Sequence, residues 1–315
     1  MAAATDTPPV ASDELVRPSG FFLRRRRFAD RLVRLILFAA ASVSVFVTGG
    51  IVYILVGESV VFFSQVSIVE FLTDTQWTPL FSNARYGILP LLSGTIVVAG
   101  IALLVAIPAG TTLAIYLSEY APAPVRETIK PLLELLEGVP TVVYGYFALL
   151  FVTPLLRYLI PGLPGFNMLA PGLVMGIMIL PYVTSVSEDA MRAVPNHLRE
   201  GAYALGFTRF QAATKVVVPG AFSGITAAYI LGMSRAVGET MVVAIAAGQN
   251  PNLTFNPTEG AATITAYIVQ VSLGDLPHGS IGYQTIFAAG LTLFIITLAF
   301  NIIGFYLRRR FREVY

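Results

Sequence analysis

The chain has no cysteine and, in 315 residues, two histidines, His197 and His278. Without cysteine there is no disulfide framework, thiolate metal site or cysteine nucleophile, and two distant histidines do not make a metal cluster. Charge is sparse too, at 12% Asp, Glu, Lys and Arg, about half the share of an ordinary soluble domain. The two lysines, Lys130 and Lys215, follow Ile129 and Thr214. A phosphate-cradling P-loop needs Gly-Lys-Ser/Thr, so the chain has none, and any ATP-driven process requires a separate chain. These absences leave the expectation of no catalytic residue, no cofactor and no metal.

What is present is apolar. The chain is 56% hydrophobic with a mean hydropathy of +0.74, the composition of an integral membrane protein. Crossing about 30 Å of hydrocarbon takes roughly 20 apolar residues in a helix. Six uncharged runs qualify: Leu35 to Gly57, Tyr86 to Ser118, Gly138 to Leu156, Leu169 to Val186, Gly220 to Gly248 and Tyr283 to Leu307. The expected fold is therefore an all-α bundle of six transmembrane helices.

Basic residues orient it, because cytoplasmic segments are enriched in Lys and Arg. With the N-terminus inside, 17 of the 20 basic residues fall in the N-terminal segment, the second-to-third loop, the fourth-to-fifth loop and the C-terminus. Arg85 and Arg157 fall outside, and Arg235 lies within the fifth run. Both termini are expected to be cytoplasmic. The run Arg24 to Arg27 reads as a flank to the first span, and no nucleic acid is expected as a partner. Residues 1–27 are expected to be a disordered basic tail and 28–312 one membrane domain, its first span an uncleaved anchor in contact with lipid. Outer loops at 58–86 and 249–282 read either as scaffold packing, with Phe62, Phe63 and Trp77 at the membrane interface, or as a docking surface. The stretch "EGAATITAYIVQVSL" is a candidate short helix folded back on the protein.

The cytoplasmic loop at 188–219 is expected to hold two short helices. Asn196 after a proline can cap the first, Gly206 stops it, and Thr208 with Gln211 makes a capping box for the second. Pro219 ends the hairpin. Glu200, Gly201, Ala202 and Gly206 put small residues at the bend, where another chain can approach closely; a plain amphipathic hairpin on the membrane surface accounts for them equally. The adjacent Glu188 and Asp189 are expected to be helix-end charges facing water.

Arg235 and Glu239 are the anomaly, since a charge in mid-bilayer costs about 2.5–3.5 kcal/mol on insertion scales. Four residues apart on one continuous helix, they share a face and neutralise each other. That pair either orders the bundle or holds a weak anion site in which the arginine fork grips a phosphate. Ser234, Thr240, Thr141 and Tyr144 are candidate hydroxyl donors to the same path. Gly138, Pro140, Pro108 and Pro181 interrupt or bend spans, either to line a pathway or to let helices pack closely.

Glu200-Gly201-Ala202, Gly206 after three residues, and Val216-x-Val218-Pro219 nine further on resemble the EAA motif of ABC importer membrane subunits. Gly201 replaces an alanine, and valines replace Ile and Leu. "YGILPLLSGTIVV", "LSEYAP", "LELLEGVPTVVYG" and "SRAVGETMVV" are similar to phosphate-specific transporters, and among these to the PstC-type permeases more than the PstA-type. The resemblance implies a type I importer permease in the inner membrane of a bacterium, moving phosphate by alternating access. It implies a PstA-like second permease, two PstB-like ATP-binding subunits and an extracytoplasmic PstS-like phosphate-binding protein. It places an ATPase-coupling role on the Glu200–Pro219 loop and a transport role on Arg235 and Glu239. Sulfate or another oxyanion is the alternative cargo. A channel or ion-coupled carrier, with Arg235 and Glu239 as gate or proton site, is the alternative class.

Overall fold

The computed structural model describes residues 20–79, 81, 83–274, 276–277 and 279–310, with side chains from residue 30. Residues 1–19 of the expected tail lie outside the described ones, and residues 20–27 are helical. Among the described residues there is no β-strand, only an isolated antiparallel bridge between Trp77 and Tyr86. The chain divides into two units, Met1–Ile54 and Leu55–Tyr315.

The described part of the first unit is most of helix α1 (Gly20–Phe63), whose Leu35, Phe38, Val45 and Phe46 are exposed. A helix that turns such residues outward is suited to hydrocarbon and not to water.

In the second unit the chain runs through α2 (Ile68–Thr73), α3 (Leu89–Ile115), α4 (Ala123–Gly138), α5 (Thr141–Phe147), α6 (Thr153–Leu159) and α7 (Leu169–Arg192). The hairpin follows as α8 (Asn196–Ala204), α9 (Arg209–Ala212) and the single turn α10 (Val218–Gly220). Then come α11 (Phe222–Gly238), α12 (Met241–Ala246), α13 (Ile264–Ser272) and α14 (Ile281–Arg310). Wide π-type turns join three of these junctions, at Tyr116–Tyr120, Ala148–Val152 and Ala213–Val217. Among the described residues five helical stretches are long and apolar enough to cross a membrane, and a sixth is the pair Arg209–Gly220 and Phe222–Gly238, bent by 73°. The six apolar runs thus correspond to six spans if that bent pair is one.

The core is built on α7, which packs along α3 and is crossed by α11. Val98, Ala102 and Ala106 of α3 meet Met175, Met178, Ile179 and Val183 of α7, all buried. Small residues on α3 let the backbones close up, the usual way helices associate where no water drives them together. Thr184 Oγ1 donates to the Gly110 carbonyl at 3.3 Å, tying α7 back to α3.

Parts of the loops at 58–86 and 249–282 pack together in a second apolar cluster. Phe62 and Trp77 are buried, not interfacial, in a chain of edge-to-face pairs from Phe62 to Phe71, Trp77 and Tyr267. The "TAYIVQVS" stretch forms α13, which lies against α14, as expected of a helix folded back.

Candidate functional site

Two broken helices meet beside the core. The fifth apolar run is not one helix: α11 ends at Gly238, Glu239 is extended at φ −68°, ψ 135°, and α12 restarts at Met241. A second break lies at the entrance to the third run, where Val139 and Pro140 are extended between α4 and α5. α5 packs on α12, and Gly145 makes that possible. A Cβ there would lie 2.9 Å from Ile245 Cδ1 and 3.2 Å from the Met241 carbonyl oxygen. Broken backbone is tolerated at membrane depth only where it is buried in protein or lines a cavity.

The break corrects the expected pairing of Arg235 with Glu239. They do not share a helical face, and no ion pair joins them among the described residues. Glu239 is buried and turns forward: its Oε1 accepts from the Met241 and Val242 amides at 3.1 and 3.4 Å. A carboxylate there satisfies two orphan N–H groups and meets the positive end of the helix, worth about 0.3–1 kcal/mol in exposed cases and up to ~2 when partly buried. Thr265 of α13 donates to the Glu239 carbonyl at 2.6 Å, which fixes the extended residue from the other side. Glu239 is thus held by backbone and not by a counter-ion.

Arg235 is left with a different neighbourhood. Its guanidinium carbon lies 4.7 Å from the centre of the Tyr182 ring on α7, a cation–π contact. Its Nε is buried with no hydrogen-bond partner, and so is Ser234 Oγ one residue earlier. Burial pushes the Glu137 carboxyl at the end of α4 above its ordinary range; the Arg235 guanidinium opposes that rise and Glu134 adds to it. Arg235 therefore feels the end of α4. A cation in the last turn of α11 also suits the negative end of that helix.

The hydroxyl candidates divide. Tyr144 reaches across the α4–α5 break and donates to the Leu136 carbonyl at 2.7 Å, so its proton is committed to a helix end. Thr240 donates to the Gly238 carbonyl at 3.3 Å, a long bond at the turn. Thr141 opens α5 and is half-buried, with no side-chain hydrogen bond among the described residues. Ser234 is the candidate with a buried, uncommitted oxygen. Tyr182 and Glu137 were not singled out from sequence. Neither carries a local signal, because each acts through a neighbour distant in the chain.

The hairpin expected at 188–219 forms as its signals require, with one change. Pro195, not Asn196, is the N-cap of α8. At the far end Gly206 takes φ +81°, its amide donates to the Tyr203 carbonyl at 2.9 Å, and the Phe207 amide donates to the Ala202 carbonyl at 3.0 Å. Those two bonds are a complete Schellman stop, which calls for glycine because a Cβ is strained there. Thr208 and Gln211 make the reciprocal capping box. Tyr203, Leu205 and Phe210 stand exposed around the bend, and Gly201 has nothing within 4 Å of where a Cβ would sit. Pro219 sits in α10, just before the 73° bend into α11.

Arg199, also missed from sequence, anchors that hairpin. Its Nη2 and Nε donate to the two oxygens of Glu119 at 3.0 and 3.2 Å, while Nη2 and Nη1 also donate to the Met191 and Val194 carbonyls at the end of α7. A planar guanidinium can do this and a lysine cannot. Glu188 is likewise not a water-facing helix end: it is fully buried, paired with Lys130 of α4 and 3.6 Å from Arg192, whereas Asp189 is exposed and accepts from the same lysine at 2.8 Å. Burial works to lower the Lys130 ammonium, and the bonds to Asp189 and Glu188 outweigh it and raise it.

A membrane bundle with a protruding, anchored hairpin has known counterparts. The family described as "Binding-protein-dependent transport system inner membrane component" matches residues 106–313. The chain belongs to that family. It is 39% identical over 245 residues to the "Probable ABC transporter permease protein YqgH" of Bacillus subtilis, covering 78% of this chain and 79% of that one. It is 32% identical over 309 residues to the "Phosphate transport system permease protein PstC" of Mesorhizobium japonicum, covering 90% and 92%. A chain of a bacterial alginate ABC transporter solved with a pentasaccharide-bound periplasmic protein shares the fold, with a TM-score of 0.62 at 18% identity over 92% of this chain and 98% of that one. A chain of the MetNI methionine ABC transporter, solved inward-facing, matches at a TM-score of 0.53 and 19% identity, over 72% and 95%. This protein is accordingly a multi-pass inner-membrane transport subunit and not itself an enzyme. A component of such a system works with a separate binding protein and with ATP-binding subunits.

Proposed function

We propose that the chain is the PstC-type permease of an ATP-driven phosphate importer, and that Arg235 is its anion contact. The observation that carries the site is the environment of Arg235: a buried Nε without a partner, no bond to Glu239, and an aromatic face beneath the guanidinium. Such a group is expensive in a bilayer and presents donors to whatever enters. Its fork matches phosphate bidentately. Tyr182 and Glu137 moderate the charge, so the site grips weakly enough to release, which conduction requires. Ser234 supplies a hydroxyl beside it, with Thr141 and Thr240 at the two breaks; Tyr144 and Glu239 hold those breaks in shape.

The partners follow the same reading. A PstA-like permease completes the path, two PstB-like subunits drive it, and a PstS-like protein delivers phosphate to the outer face. Both termini and the hairpin face the cytoplasm, in keeping with the basic residues there. The Glu200–Pro219 hairpin receives the ATPase at Leu205 and Phe210 and passes its closure to α3 and α7 through Arg199. Alternating access about the break at Glu239, beside Arg235, is the transport cycle.

The test is uptake of radiolabelled phosphate against sulfate by the assembled complex in liposomes, with and without Arg235→Gln. Phosphate uptake should exceed sulfate uptake and fall at least about tenfold in the variant, the loss of one charge-assisted contact, while ATPase activity persists. Unchanged uptake removes Arg235 from the path. Uptake that continues without any ATPase subunit overturns the importer in favour of a channel or carrier.

A further inference from the structure

A second cluster of arginines lies outside the path. At the foot of the α8–α9 hairpin, between the end of α3, the start of α4 and the C-terminus of α7, is a cleft of about 670 Å3 lined by Arg126, Arg192, Arg199 and Arg209. Glu119 is the one acidic residue in its lining, and Arg199 occupies both of its oxygens. That pair is neutral and rigid, and forms the wall of the cleft. Arg192 has its Nη1 3.6 Å from Glu188, beyond direct hydrogen-bond length, and is half-exposed. The guanidinium groups of Arg126 and Arg209 have no hydrogen-bond or ion-pair partner among the described residues. Two guanidinium groups from two different elements, Arg126 and Arg209, thus converge on one concavity with no ion pair among the described residues, beside Arg192, which shares Glu188 with Lys130. Like charges brought together in this way repel unless an anion joins them.

We infer that this cleft binds a phosphate-bearing anion, at a site separate from Arg235. Phosphate is the chemistry that planar guanidinium groups match bidentately, and several around one concavity can share its oxygens. Two sources present that chemistry here. Because α3 and α7 are spans, the cleft at their ends lies where phospholipid headgroups lie, and basic residues at that level attract anionic lipid. Free inorganic phosphate reaches the same place from solution. The site stands whether or not phosphate is the cargo.

The test uses the chain assembled with its partner subunits in detergent and carrying Arg235→Gln, so that the path contributes no binding. One arm titrates phosphatidylglycerol against phosphatidylcholine by native mass spectrometry; the other measures radiolabelled inorganic phosphate by equilibrium dialysis. Adding Arg126→Gln and Arg209→Gln together should weaken one of them by roughly thirtyfold, at about a factor of five per surface arginine. Arg126→Lys with Arg209→Lys should keep most of that binding, which separates charge from damage to the fold. Loss in the lipid arm assigns the headgroup, and loss in the phosphate arm assigns the free ion. If neither arm responds, the proposal is overturned. It is overturned also if the Gln variant sheds the ATP-binding subunit while both arms stay level, since the cleft is then a protein contact.

Discussion

Arg199 and Arg235 are both held inside a protein that has few charges to spare, and they are held in opposite ways. Arg199 makes five hydrogen bonds, to both oxygens of Glu119, to two carbonyls at the end of α7, and to Asn196. Arg235 rests on a tyrosine ring and keeps a buried N–H unused. Saturation fixes a joint, and an unfilled donor set awaits a ligand. The same residue type thus locks the hairpin to the bundle in one place and, in the function proposed here, offers its donors to an anion in the other.

The strongest way to break that contrast is to free Arg199. Glu119→Ala leaves a largely buried guanidinium without its counter-ion, which should destabilise the protein by about 3–5 kcal/mol. Denaturant titration in micelles would register this, together with loss of the copurifying ATPase subunit. Arg235→Gln should cost no more than about 0.5–2 kcal/mol, the range of a cation–π contact, although uptake falls at least tenfold by the reasoning above. A stability loss as large as that of Glu119→Ala would make Arg235 a second joint. Gly206→Ala forces a Cβ into a left-handed residue for about 1–2 kcal/mol, weakening the hairpin without touching either arginine; proteolysis of the 203–208 bend should quicken while uptake per intact complex holds.

Gly201→Ala sharpens the contrast from the other side. Nothing in this chain opposes the methyl, so α8 should gain about 0.5–1 kcal/mol from replacing a mid-helix glycine. If the partner ATPase packs on that face, coupled hydrolysis falls while stability rises; a rise in both would leave the glycine unexplained by close approach. The smallest effect is expected at Glu137. Its folded carboxyl is raised, so its favourable contribution is full below the ordinary range near 4.5 and is lost as pH climbs through the raised value. Glu137→Gln should therefore leave the protein slightly more stable than the parent at neutral pH, with that advantage vanishing in acid. It should also tighten phosphate at Arg235, read as a lower KM for uptake.

The spans and the hairpin were legible in the sequence because their causes are local. Uncharged runs mark spans, Gly206 marks a stop, and Thr208 with Gln211 marks a start. The break at Glu239 was less so. Gly238 is a stop signal and a glutamate before Met241 is a start signal, but both sit inside an apolar stretch whose length argues for one helix. Reading Arg235 and Glu239 as an i,i+4 pair followed from that assumption, and the pairing failed with it. Glu119 and Arg199 are 80 residues apart, and Tyr182 meets Arg235 across two helices. No periodicity or spacing reports contacts of that kind; they are consequences of how α3, α7 and α11 pack.

The Arg199 fork also sets the mechanics of the hairpin. One guanidinium clasps the end of α3 through Glu119 and the end of α7 through Met191 and Val194, so it acts as a pin through three members of a linkage. A push at Leu205 cannot be taken up as slack between the columns. In the proposed coupling it arrives at both as a single stroke, with the bend of 73° ahead of α11 as the elbow where that stroke changes direction.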